Sequence, residues 1–271
     1  MNPIIKYTGG KRQEIKFFKD WLNVDYDRYV EPFVGGGAVY FYLEPKNALI
    51  NDLNSQLVDF YKTVANNREE LIEELKTMKN EEEFYYKIRQ MYNDDIPKEF
   101  SDAAIFAYIN RTAFSGMIRH SKGKKDENGN WLVKPKFNIP YGRYKSFKPW
   151  DFLTEEASSL LARTDIRNED FSKIFEELTD RDFVFLDPPY MSTFDKYLPD
   201  GFDTEQHKKL AECFKNSPAK ILAIISDLGI IRELYQDYIK GEYDKNYAIN
   251  VRNRMKDVTE AKHLIIANYD I

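Results

Sequence analysis

Apolar residues along this chain fall into two patterns. Short apolar runs occupy Ala48–Ile50, Phe183–Leu186 and Ile221–Ser226, and Tyr29–Phe33, though broken by Glu31 and Pro32, reads as another short strand. They predict buried strands, because a strand covered on both faces needs no polar alternation. Elsewhere apolar positions recur every three or four residues. That spacing predicts helices over Leu57–Asn66, Arg68–Lys79 (on Leu71, Ile72, Leu75 and Met78), Glu82–Asn93 and Ala103–Asn110, the last capped by Ser101. Further helices are expected at Gln13–Leu22, with Ile15, Phe17, Phe18, Trp21 and Leu22 as contacts, from about Ala38, at Thr204–Asn216 and at Ile230–Tyr238. Tyr247–Val251 and His263–Tyr269 read as a terminal strand pair.

Strands alternate with helices at both ends, which predicts a doubly wound α/β sheet. The mostly helical stretch from about Gln56 to Ser146 interrupts it. The expected division is therefore a discontinuous sheet domain, 1–55 with 147–271, and an inserted domain, 56–146. The insert opens as a helical bundle and ends as a hairpin whose tip is Ser121–Val133, rich in turn residues. No internal repeat is present.

The 271 residues are 42% apolar, enough for a large core with a smaller insert. No run approaches the ~20 apolar residues of a membrane span. The first residues, with Lys6, Lys11 and Arg12 broken by glycines, lack a signal peptide's apolar segment. Cys213 is the single cysteine, so no disulfide framework exists, and a cytoplasmic protein is expected. His120, His207 and His263 are scattered singly, and no metal site is expected.

Net charge is −5, which argues against a general polyanion binder. The distribution changes that picture. From Arg119 to Lys148 nine lysines and arginines face only Asp126 and Glu127, a local balance of +7. Trp131, Phe137, Tyr141 and Tyr144 are interleaved with them. A local field of this sign, set among aromatics, suits a phosphate backbone better than a plain solvated hairpin.

The sharpest chemistry is Asp187-Pro188-Pro189-Tyr190, placed directly after the run Phe183–Leu186. Prolines donate no hydrogen bonds and fix φ, so the strand stops and its carbonyls stay available. A carboxylate and a carbonyl beside a flat ring suit a planar base with an exocyclic amino group. That nitrogen is a poor nucleophile while its lone pair is delocalised. Two acceptors, Asp187 and the Pro188 carbonyl, localise the lone pair and stabilise the developing positive charge. Tyr190 would stack on the base. Standing alone, the same string also describes a strand end with Asp187 as a cap.

Two further motifs bear on this. Glu31-Pro32-Phe33-Val34-Gly35-Gly36-Gly37 reads as a strand, a glycine turn and a helix start, in which Gly35 and Gly37 allow close approach of a ligand. It is not the pyrophosphate-binding G-x-G-x-x-G turn. Asp52, after the run Ala48–Ile50, lies where α/β nucleotide sites place a ribose-binding carboxylate. A ligand with ribose and adenine but no diphosphate fits, namely S-adenosylmethionine; an ordinary strand–helix–strand unit with a capping Asp remains the plain alternative. In Lys6-Tyr7-Thr8-Gly9-Gly10-Lys11, Lys11 could hold the methionine carboxylate with Tyr7 packed nearby; otherwise the stretch is a flexible basic end.

KYTGGK, EPFVGGGAVYF, INDLN and DPPY, in this order, resemble the Dam-type N6-adenine DNA methyltransferases of the α class, also called D12. The resemblance covers nearly the whole chain. It implies a Rossmann-like S-adenosylmethionine-dependent methyltransferase sheet with an inserted helical plus β-hairpin DNA-recognition domain. By that resemblance Tyr7, Lys11, Phe33, Gly35, Gly37 and Asp52 contact the cofactor, Asp170 and Phe171 flank its adenine, and Asp187 also approaches it. Asp187, Pro188, Pro189 and Tyr190 form the amino-group clamp. On the side of double-stranded DNA, Arg119 matches a guanine reader and Lys6 a second such contact. Phe114, Ser115, Met117 and Pro140 lie beside a flipped adenine, and Arg143 on phosphate. Phe114, Met117 and Pro140 equally suit hairpin packing, and Asp170-Phe171 equally suits a helix cap followed by a core ring. The run Lys122–Lys136 is longer than the family's hairpins.

The resemblance implies methylation of adenine within GATC. N4-cytosine methylation uses the same clamp, and a catalytically silent DNA-binding relative is the reading from another class. RNA and protein-glutamine methyltransferases share the clamp but lack this insert. C5-cytosine chemistry needs a cysteine nucleophile after proline, whereas Cys213 follows Glu212 on an expected helix.

Overall fold

The computed structural model describes residues 1–7, 9–116, 120–121, 123–126, 130–189, 202–245 and 261–271. Its strands are β1 (Arg28–Glu31), β2 (Ala48–Asn51), β3 (Lys124–Lys125), β4 (Trp131–Val133), β5 (Thr164–Arg167), β6 (Asp182–Leu186), β7 (Lys220–Ser226), β8 (Ile239–Lys245) and β9 (Ala261–Ala267). Seven form one sheet in the order β5-β2-β1-β6-β7-β9-β8; β3 and β4 make a separate antiparallel pair. β1 runs parallel to β2 and β6, and β6 parallel to β7. β9 lies antiparallel to both β7 and β8. This mixed, mostly parallel sheet is the expected Rossmann-like methyltransferase architecture.

The helices are α1 (Ile15–Phe18), α2 (Ala38–Leu43), α3 (Ser55–Asn66), α4 (Arg68–Thr77), α5 (Glu82–Tyr92), α6 (Asp102–Thr112), α7 (Glu155–Ala162), α8 (Phe171–Phe175), α9 (Thr204–Asn216) and α10 (Gly229–Tyr235). Among the described residues no helix is long and apolar enough to cross a membrane.

The chain forms two compact units. One comprises Met1–Gly10, Val34–Lys46 and Asn51–Asn168; the other comprises Lys11–Phe33, Asn47–Ile50 and Glu169–Ile271. In the first, α3 starts at Asn54, whose side chain accepts from the Gln56 and Leu57 amides. Its buried Leu57, Phe60, Tyr61 and Val64 sit at helical spacing and pack it on α6 and α7. α6 is buried from Ala103 to Asn110, with Ser101 capping through the Ala104 amide. In the second unit all five residues of β6 are buried. Val184 and Leu186 share one core with Ile221 and Ala223 of β7, Leu210 and Phe214 of α9 and Ile231 of α10. On the other side Phe185 stacks on Phe18, ring centres 5.8 Å apart.

Several expectations need correction. The helix expected over Gln13–Leu22 is broken: 3-10 turns at Lys11–Gln13 and Lys19–Leu22 flank a single α turn. Glu14 precedes that turn without capping it, because its carboxylate bonds elsewhere. β9 pairs with β8, at 239–245, where no strand is expected; the predicted partner Tyr247–Val251 lies outside the described residues. β8 carries Lys240, Gly241, Glu242 and Asp244 along an edge, which masks it as a loop. β5 and α7 were not legible either, being short and half polar.

Candidate active site

β6 delivers Asp187 to the end of the sheet's central strand. Pro188 and Pro189 follow, so no ladder hydrogen bond continues from this edge. Pro188 is buried and Pro189 exposed, while the Asp187 side chain is 23% exposed. Lys11 meets it: Nζ lies 2.5 Å from Asp187 Oδ1. Lys11 is only 1% exposed, so its charge is withheld from water and spent within the protein. A buried ammonium needs such a carboxylate. The residue expected to hold a cofactor carboxylate thus also meets the carboxylate expected to act in the clamp. Tyr190 lies outside the described residues.

In the other unit the glycine turn is built around Tyr7 and Asp52. Gly35 (φ +44°) and Gly37 (φ +65°) are in the left-handed region, which a side chain would strain. A Cβ at Gly35 would meet the Tyr7 ring at 2.9 Å, and one at Gly36 would meet Tyr7 Cβ at 2.7 Å. The turn is therefore bare so that Tyr7, itself 40% exposed, can lie on it. Asp52 ties it down: Oδ2 accepts from the Gly35 amide and Oδ1 from the Asn54 amide, each at 2.9 Å. The Gly35 carbonyl accepts from Tyr61 Oη at 2.8 Å, and Asn168 Nδ2 donates to the Asp52 carbonyl at 2.7 Å. Loss of water around Asp52 raises its pKa, and the two amide donors pull the other way.

Phe33, just beyond β1, belongs to a cluster of rings in its own unit. It lies 5.3 Å from Phe171 and 5.4 Å from Phe202. Phe171 is fully in the core. Asp170 caps α8, accepting from the Ser172 amide and hydroxyl, and pairs with Lys209 at 3.0 Å. Cap and core ring are what local structure requires of this pair; the Phe33 edge remains partly accessible.

The segments expected to meet DNA are stapled to the helical unit by side-chain amides and hydroxyls. Buried Asn110 on α6 bonds both the amide and the carbonyl of Lys6. Lys6 Nζ then sits 3.9 Å over the Tyr144 ring. Asn93 brackets Phe137 in the same way, Tyr85 Oη donates to the Ile139 carbonyl, and Asn80 Nδ2 donates to that of Tyr144. Phe114 is 50% exposed, and its amide donates to the Pro140 carbonyl. Ser115 (φ +56°) and Arg143 (φ +53°) are strained, exposed and adjacent to this backbone. Arg143 approaches Glu82 at 3.6 Å. Met117 and Arg119 lie outside the described residues.

One group of side chains carried no signal in the sequence. Glu14, Tyr243, Lys245 and His263 converge close to Lys11. Their positions span the chain, and only the fold joins them. Tyr61 and Asn110 were likewise invisible, reading as core and helix residues.

Residues 7–250 match the model of the D12 class N6 adenine-specific DNA methyltransferases. The chain is 37% identical over 275 residues to the type II methyltransferase M.CviBI of Paramecium bursaria Chlorella virus NC1A, covering 99% of this chain and 100% of that one. It is 31% identical over 246 residues to the Retron Ec67 DNA adenine methylase of Escherichia coli, covering 88% and 82%. Identity to the DNA adenine methylase of Escherichia coli strain K12 is 27% over 247 residues, covering 86% and 83%. The chain belongs to the D12 class of N6-adenine-specific DNA methyltransferases.

Proposed function

We propose that this enzyme methylates N6 of an adenine flipped out of duplex DNA, within GATC, using S-adenosylmethionine. The observation that carries the reading is Asp187 at the end of β6, one oxygen fixed by Lys11 and the following backbone freed by two prolines. Residues 1–55 with 147–271 would hold the chemistry, and 56–146 the target recognition.

The cofactor supplies an electrophilic methyl group. The residues present fit it. Asp52 is an ionisable carboxylate already oriented by two amides, with lone pairs left for ribose hydroxyls. Tyr7 on a bare glycine turn offers a flat apolar wall, and the turn has no lysine of the kind that grips a diphosphate. Phe33 and Phe171 would border the adenine.

An adenine stacked in a duplex cannot present N6 to a methyl donor. Extruding it costs a few kcal/mol. In the pocket, Asp187 and the Pro188 carbonyl accept the two N6–H bonds and localise the lone pair on nitrogen. With the methyl group a bound cofactor would supply, N6 would be the nucleophile, and one N6 proton would later leave to solvent. Asp187 orients and polarises throughout, and Lys11 keeps its carboxylate in place. On the DNA side Arg119, by its match to the family's guanine-reading position, would read a guanine, whose O6 and N7 suit an arginine fork, with Lys6 as a second contact. Arg143 is assigned a phosphate, and Phe114, Ser115, Met117 and Pro140 the bases beside the gap.

The test is Asp187→Ala. Turnover is expected to vanish while affinity for duplex DNA stays within a few-fold. Near-normal turnover would refute the assignment. The family match favours adenine over cytosine N4, and base analysis of the product separates the two.

A further inference from the structure

We propose that Glu14 is a positioning residue for methyl transfer: its buried carboxylate ties the turn that carries Lys11 to β8 and β9, and through Lys11 it fixes Asp187. The inference rests on the proposed role of the Lys11–Asp187 pair.

Glu14 Oε2 accepts from His263 Nδ1 at 2.7 Å and from Tyr243 Oη at 2.8 Å, and Oε1 meets Lys245 Nζ at 2.8 Å. His263 is fully buried and Glu14 is 6% exposed. Burial alone pushes the Glu14 carboxyl up, but these donors and the nearby Lys11 charge bring it down to about 2, so it is ionised at neutral pH. Burial pushes His263 the other way, toward the neutral form. The cluster is then balanced: Lys11 and Lys245 against Glu14 and Asp187.

Local structure has no use for this carboxylate. Glu14 stands at the start of α1, where a side chain commonly caps the first amides, yet it makes no capping bond. Its backbone is instead joined to Lys11, since the Glu14 amide donates to the Lys11 carbonyl at 2.7 Å. Fixing Glu14 to two strands therefore fixes the turn one step before it. Phe17 strengthens the junction by stacking on Tyr243, ring centres 4.7 Å apart. A lysine side chain has four rotatable bonds, and its reach to Asp187 is reproducible only if its own backbone is held.

A double-mutant cycle tests this, using full-length protein, a duplex substrate and saturating S-adenosylmethionine under single-turnover conditions. Glu14→Ala should lower the methyl-transfer rate about tenfold or more, but by less than about threefold in a Lys11→Ala background, since residues acting through one another are not additive. Glu14→Gln keeps an acceptor for His263 and Tyr243 without the charge. It should fold even if Glu14→Ala fails to, show a smaller loss, and lose that effect when Lys11 is absent. Equal losses with and without Lys11, or a lower Tm at an unchanged rate, would overturn the inference alone. A Lys11→Ala enzyme with the normal rate would instead remove the Lys11–Asp187 reading, and this inference with it.

Discussion

Lys11 and Asp187 are 176 positions apart, and Nζ of one lies 2.5 Å from Oδ1 of the other. The contact joins the turn at Lys11–Gln13 to the end of the central strand within one compact unit. In the proposed mechanism it makes the lysine part of the amino-group clamp. Replacing Lys11 by Met keeps the stem's length and apolar packing while deleting the charge. The expected result is a kcat reduced by about 100-fold, since the catalytic acceptor loses its fixed partner in a partly buried setting. A change confined to KM for S-adenosylmethionine would place Lys11 on the cofactor alone.

Asp52 is expected to act on binding rather than on the chemical step. Asp52→Asn keeps one acceptor for the Gly35 or Asn54 amide and loses the charge-assisted bond to a ribose hydroxyl. Dissociation constants from calorimetry should rise about tenfold or more for S-adenosylmethionine, consistent with about 1.5–3 kcal/mol for a hydrogen bond to a charged group. Affinity for DNA measured without cofactor should not move. Unchanged cofactor affinity would show that Asp52 only ties down the turn.

Gly36→Ala is a sterically defined test of the same turn. The new Cβ would fall 2.7 Å from Tyr7 Cβ, so Tyr7 must shift. Cofactor affinity should fall while the fold persists, because Gly36 itself has no positive φ to strain. A Gly36→Ala protein that binds the cofactor normally would remove Tyr7 from the site.

Asn93 offers a test of the DNA-facing segment away from any residue proposed to touch DNA. Both of its side-chain bonds hold Phe137. Asn93→Ala leaves those backbone groups without partners and should cost about 1–3 kcal/mol locally. Duplex affinity should drop with cofactor affinity unchanged. Equal loss of both would mean general unfolding.

The stability of the protein should carry a mark of His207. This residue on α9 is 1% exposed, its ring stands edge-on to Phe202 at 4.7 Å, and neither ring nitrogen finds a partner among the described residues. Burial lowers its pKa from 6.5 to about 4, with Asp203 acting weakly in the opposite sense. Below pH 6.5 the unfolded chain binds a proton that the folded chain refuses. The stabilisation is therefore complete above that pH and is lost as pH falls toward 4, on the order of 3 kcal/mol in all. His207→Leu should flatten the fall of Tm between pH 6.5 and 4. An identical slope in the variant would contradict this account of His207.

What the sequence disclosed follows from what its patterns encode. The runs at 183–186 and 221–226 are legible because strands covered on both faces read as near-continuous apolar stretches, and α9 is legible because its periodicity is long. DPPY was legible because a strand cannot pass two prolines. β8 was hidden, since its charged edge lacks any apolar run. Glu14, Tyr243, Lys245 and His263 were hidden for another reason: a buried polar cluster is defined by distance in space, and no local periodicity announces it. The pairing of Lys11 with Asp187 likewise needed the fold. Asp170 and Phe171 illustrate a reading that residues leave open, as capping and core packing already explain both.

The most direct test of the whole account is transfer of labelled methyl from S-adenosylmethionine to duplex DNA, followed by digestion and mapping of the modified base with its neighbours. The account predicts N6-methyladenine within GATC. N6-methyladenine in another context would keep the chemistry and contradict the recognition assigned to Arg119. No label in DNA, from folded protein that binds the cofactor, would contradict the central claim.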